Sequence, residues 1–117
     1  MADKKPKLYA KLMKAYPEYI AAVESLGNAV ARAGPLDDKS IQLIQLAAAA
    51  ASRSEGAVHS HARRAQRAGA SAAEIHHALI ALTSTIGFPK VTAALSWVDD
   101  LLDRSAPDDD GDAPRLT

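Results

Sequence analysis

The chain contains no cysteine. No thiol can therefore attack a substrate, cycle through a disulfide or ligate a metal. Aromatic residues are scarce, at 4% of the chain, so Tyr9, Tyr16, Tyr19 and Trp97 read as packing residues rather than stacking platforms. Charge of neither sign is in excess: 14 basic and 14 acidic residues cancel. That excludes the global basic field of a nucleic-acid-binding protein. Long apolar runs are also missing. The longest block, Leu46 to Ala51, falls far short of the ~20 residues of a membrane span. No apolar run follows the basic start Met1-Ala2-Asp3-Lys4-Lys5-Pro6, so it does not read as a secretory signal. A cytoplasmic protein is expected, with no cofactor, no nucleic-acid partner and no membrane partner.

What the chain does have is alanine and helical periodicity. A length of 117 residues fits one domain. The apolar share is 48%, much of it alanine. Such a core fills space only if helices approach closely or another subunit adds surface, which favours a homo-oligomer. A first helix is expected over Lys7–Ala15. Pro17 suits the first turn of a second, where its missing N–H costs nothing. Ile20, Val23, Leu26, Ala29 and Val30 recur there at three- and four-residue steps, predicting one buried face. Ala33-Gly34-Pro35 ends it.

Asp37 or Asp38 can cap a third helix. Its run of Ile41, Leu43, Ile44, Leu46 and alanines is apolar on more than one side and is expected to be central. Ser54 caps a fourth helix, from Glu55 to about Ala68, ended by Gly69. Ser71-Ala72-Ala73-Glu74 is a capping box. It opens a helix carrying Ile75, Leu79, Leu82 and Ile86 as far as Gly87. A last helix, from about Pro89 to Arg104, uses Val91, Leu95, Val98 and Leu102. No β-alternation of useful length occurs. The expectation is an all-α, compact helical domain of about five to six helices over residues 7–104. Residues 1–6 are expected to be a flexible start and residues 105–117 a disordered acidic tail.

Chemistry concentrates in the segment Arg53-Ser54-Glu55-Gly56-Ala57-Val58-His59-Ser60-His61-Ala62-Arg63-Arg64. Glu55 and His59 are four apart and share a face. Ser54, Ala57 and His61 line another stripe. His59 and His61 lie about 200° apart at ~100° per residue, so one straight helix cannot bring both to one metal. A metal site would have to use Glu55 and His59 with ligands from elsewhere; the plainer reading is a surface or interface pair. His61 shares its stripe with small residues, which leaves room beside the imidazole for general acid–base work. Its alternative is a histidine that packs with one hydrogen bond. His77 reads as exposed, near Glu74, and His76 as facing a subunit interface.

In order and spacing these pieces resemble the carboxymuconolactone decarboxylase / alkylhydroperoxidase D-like family. They are Asp37-Asp38-Lys39-Ser40-Ile41-Gln42, Ser54-Glu55-Gly56-Ala57-Val58-His59-Ser60-His61, Gly69-Ala70-Ser71, Ala72-Ala73-Glu74-Ile75 and Gly87-Phe88-Pro89. The resemblance implies an all-α fold assembled as trimers, hexamers or dimers. In the peroxidase branch it also implies a relay of a glutamate, two cysteines and a histidine. Gln42 stands at the glutamate position, Ser54 and Ala57 at the cysteine positions, and only His61 remains. A serine cannot be oxidised to a sulfenic acid, so peroxidase activity is not expected. Two readings remain from the resemblance. One is a non-redox small-molecule-binding or degenerate oligomeric member. The other is a cysteine-independent lyase or decarboxylase acting on a small carboxylate or lactone, with His61 as general acid/base and Arg53 or Arg64 holding the anion.

Overall fold

The computed structural model describes residues 7–105, with side chains as far as residue 102. Among these residues there is no strand. Six helices of nine residues or more and one shorter helical turn make up the structure. The expected flexible start at 1–6 and the acidic tail from 106 onward lie outside the described residues. The packing of the described residues groups into two compact units, one up to Pro35 and one from Leu36 onward.

In the first unit, α1 (Lys7–Ala15) and α2 (Pro17–Ala31) are separated by Tyr16 alone. Pro17 occupies the first turn of α2. The Tyr9 hydroxyl donates to the Glu24 carboxylate and ties the two helices together. The apolar stripe of α2 does not behave as its periodicity predicts. Ile20 is buried, but Val23, Leu26 and Val30 are exposed, Leu26 at 64%. Periodicity shows that a helix has a face to bury; it does not say that the same chain supplies the cover.

The second unit runs α3 (Asp38–Ala51), α4 (Glu55–Arg67), α5 (Ala72–Ile80), α6 (Thr83–Ile86) and α7 (Phe88–Ser105). Local chemistry sets most of these boundaries. Asp37 accepts from the Ser40 N–H at 2.8 Å and caps α3. Ser71 and Glu74 form the reciprocal capping box that opens α5. One helix was expected from Ser71 to Gly87, but it breaks after Ile80. The Thr83 hydroxyl donates to the Ile80 carbonyl at 2.7 Å, a side-chain bond that competes with the helical ladder. Ser105, expected in the tail, is the last residue of α7.

The core is a cluster of Leu46, Ala49 and Ala50 on α3, Val58, Ala62 and Ala65 on α4, Ile75 and Leu79 on α5, and Ala94, Val98, Leu101 and Leu102 on α7. Alanines at the contact positions let helix axes approach closely. Helix α3 is less enclosed than its composition suggests, because Ile44 is exposed. None of the described helices is long and apolar enough to cross a membrane.

Candidate functional site

Helix α4 lies between two neighbours, and its two histidines reach for different ones. His61 meets α3: its Nδ1 is 3.0 Å from Gln42 Oε1. His59 meets α7: its Nε2 is 3.2 Å from the Trp97 carbonyl. The ~200° separation of the two side chains thus becomes a clasp on opposite sides of one helix. A carbonyl oxygen can only accept. His59 therefore donates through Nε2–H, and His61 donates to the Gln42 amide oxygen through Nδ1–H.

His61 is half-buried, and its pKa is lowered from the usual 6.5. Burial is the main cause, and the positive charge of Arg64 adds to it. The imidazole is therefore neutral at physiological pH. With the proton on Nδ1, the lone pair sits on Nε2. The bond to Gln42 is made through Nδ1, not through that atom. Arg64, one turn further along α4, is exposed.

In the unfolded chain His61 protonates near the usual 6.5; in the folded chain it protonates at lower pH. Between those points the unfolded state holds the extra proton. Stability should therefore decline as pH falls below about 6.5 and level off beneath the folded value. Asp37 and Glu74, both lowered by hydrogen bonds from Ser40 and Ser71, act in a more acidic window. Their contribution is present above the ordinary carboxylate range and is lost as they protonate. Urea melts across this pH range should show the upper limb in the wild type and a flatter one in His61→Gln.

Ser54 and Ala57, expected from the resemblance at the two cysteine positions of the relay, are joined in a helix cap. The Ser54 hydroxyl accepts from the Ala57 N–H at 3.4 Å. The serine is thus a structural residue of the α4 N-terminus. Just before it, Arg53 adopts a left-handed backbone, φ 58°. The turn is a Schellman-type end of α3: the Arg53 N–H meets the Ala50 carbonyl, and the Ser54 N–H meets the Ala49 carbonyl, each at 3.1 Å. Helix α4 ends with the same pair of bonds, from Gly69 to Gln66 and from Ala70 to Ala65. There the left-handed position is a glycine, φ 103°, the residue this turn favours. Arg53 thus sits where glycine would be less strained. Arg53→Gly should raise stability by about 0.5–1 kcal/mol, read as a higher melting temperature.

The remaining sequence candidates fall outside this cluster. Glu55 is exposed. The described residues of the single chain contain no group of three or more His, Asp or Glu placed to hold a metal. His77 is exposed. Its expected partner Glu74 is engaged by Lys39 instead, at 3.1 Å. His76 is half-buried, and its Nε2 is buried without a hydrogen-bond partner. Sequence reasoning noted Gln42 only as a lost acid. The signal for its other role was the amide itself, which keeps a carbonyl acceptor where a carboxylate would have had two.

Comparison with known proteins gives three findings. The sequence pattern of the carboxymuconolactone decarboxylase family matches residues 17–100. An uncharacterized protein of Haemophilus influenzae is 42% identical over 59 residues, covering 50% of this chain. The match spans about half that relative's own length, 52%. The crystal structure of the apo form of a carboxymuconolactone decarboxylase family protein from Legionella pneumophila superposes with a TM-score of 0.73 at 27% identity. That match covers 83% of this chain and 87% of the other.

Proposed function

The chain belongs to the carboxymuconolactone decarboxylase family, and we propose that it is a non-redox member that binds small carboxylates or lactones beside His61. The observation carrying this reading is the half-buried imidazole held at Nδ1 by Gln42, with a positive charge one turn away on Arg64. A neutral histidine offers a hydrogen-bond acceptor to a ligand hydroxyl or acidic C–H, and a guanidinium offers a fork to its carboxylate. Arg53, kept at a backbone position that suits glycine, is the second candidate for holding the anion. Nothing in this chemistry requires a thiol. A thermal-shift screen of small dicarboxylates and lactones tests it, with a rise in melting temperature for one class expected. No rise across the panel would count against the reading.

The depressed basicity of His61 favours a second, sharper version: the site turns its ligand over, as a cysteine-independent lyase or decarboxylase with His61 as general acid/base. Activity assays on the compounds that bind separate the two versions.

The working form is proposed to be a homo-oligomer, whether dimer, trimer or hexamer. Support comes from the α2 face, where Tyr19, Val23, Leu26 and Val30 are all exposed. A contiguous apolar stripe of this kind on a small helical protein is suited to burial against another subunit. The protein is proposed to act in the cytoplasm.

A further inference from the structure

We propose that Gln42 is a positioning residue that fixes His61 as the Nδ1–H tautomer, so that the site takes a proton at Nε2 before it can give one. This rests on the reading of His61 as the working group and adds the direction in which it works. The contact joins α3 to α4 across 19 residues of sequence, at 3.0 Å and partly buried. The amide oxygen of Gln42 accepts and carries no ionisable proton. A carboxylate in its place would pull His61 toward the imidazolium, whose Nε2 is an acid. The amide still holds the ring through Nδ1–H, but leaves it neutral and leaves Nε2 as a lone pair.

Two consequences follow for a bound lactone or oxo-acid. The first step open to the site is removal of a proton from the carbon next to the carbonyl. The C–H bond breaks, an Nε2–H bond forms, and the electron pair moves onto the carbonyl oxygen as an enolate. The imidazolium so made then returns its single proton to carbon, at the same or a conjugated position. Because Gln42 cannot take the proton on, no relay beyond His61 exists in that pair. The substrate class is therefore a small carboxylate with an acidic C–H beside a carbonyl, and the step His61 supplies toward lyase chemistry is this proton transfer. Arg64 is the charged group beside His61. It disfavours a resting imidazolium and would partner a substrate carboxylate.

The test is nitrogen-15 NMR of the histidine rings in the full chain, with His61 assigned among the four histidines by loss of its signals in His61→Gln. In the wild type at neutral pH, Nδ1 should resonate as a protonated, pyrrole-type nitrogen and Nε2 as a pyridine-type one. Gln42→Leu should shift the ring toward the Nε2–H tautomer that free histidine prefers. Gln42→Glu should restore the Nδ1–H form and move the His61 titration from below 6.5 to above it. A wild-type ring protonated at Nε2 would mean that the amide faces the other way, and would overturn the proposal. So would a Gln42→Leu ring unchanged from wild type. If Gln42→Leu does not fold, the Gln42→Glu titration decides alone, and an unmoved midpoint overturns the proposal. None of these readouts needs a ligand. A failed ligand screen with the expected tautomer would sink the binding reading and leave the Gln42 assignment standing.

Discussion

His61→Ala should abolish the stabilisation of the protein by its small-carboxylate or lactone ligand while leaving the fold intact. His61 is only half-buried and lies outside the apolar cluster centred on Leu46, Ala62 and Ile75. Truncating it removes one partly buried hydrogen bond to Gln42, worth about 0.5–1.5 kcal/mol. The ligand-free melting temperature should therefore fall by only a few degrees. Ligand-induced stabilisation follows the ratio of ligand concentration to Kd, so a site that has lost its acceptor should show little or no shift. If the site also turns its ligand over, removal of the proton carrier should cost about 10²–10⁴ in rate. Parallel melts of both proteins with the binding compounds check this. An undiminished ligand shift in His61→Ala would place the site elsewhere.

The second large effect is expected on α2. Val23, Leu26 and Val30 lie on an open face, and Leu26→Asp with Val30→Asp puts two carboxylates on it. Burial of an aliphatic side chain contributes about 1.5–3 kcal/mol, and a charge facing an apolar partner forfeits that and adds desolvation. Two such changes should weaken association by roughly 10³-fold or more. Sedimentation velocity should find the wild type assembled and the double variant monomeric, with helical circular dichroism unchanged. A monomeric wild type would contradict the oligomer reading. An assembled double variant would move the interface off α2.

These two predictions also mark where sequence was and was not enough. Ser54 and Ser71 were legible as caps, and Asp37 as one of two candidates with Asp38, because a cap is settled within four residues; Asp37, Ser54 and Ser71 each accept a backbone N–H. The opposed directions of His59 and His61 were legible for the same reason, since helical angle alone decides them. What each histidine meets was not. The Gln42–His61 and His59–Trp97 contacts span 19 and 38 residues, and depend on how α3 and α7 lie against α4. Glu74 shows the same limit. Its capping role was readable, but its pairing with Lys39, 35 residues away, was not. The α2 stripe was read as one buried face, whereas in the single chain only Ile20 of it is buried and Val23, Leu26 and Val30 are exposed. The break after Ile80 was missed because Leu82 and Ile86 continue the apolar spacing, while the Thr83 hydroxyl interrupts the backbone pattern.

The family relationship gives the fold, and in the proposed function the residues at the expected relay positions give the chemistry its direction. Ser54 caps the helix that carries His61. Gln42 still holds His61 without competing for its proton. In the proposed function, a site without thiols and without that acid holds a neutral base at His61.

The most direct test is to titrate the isotopically labelled full chain with the small carboxylates and lactones that raise its melting temperature, following every backbone and histidine-ring resonance. The account predicts saturable shifts centred on Gln42, His61 and Arg64, with His61 Nε2 moving most among the ring nitrogens. Shifts centred away from α4, or a His61 ring that does not respond to any compound that binds, would contradict it.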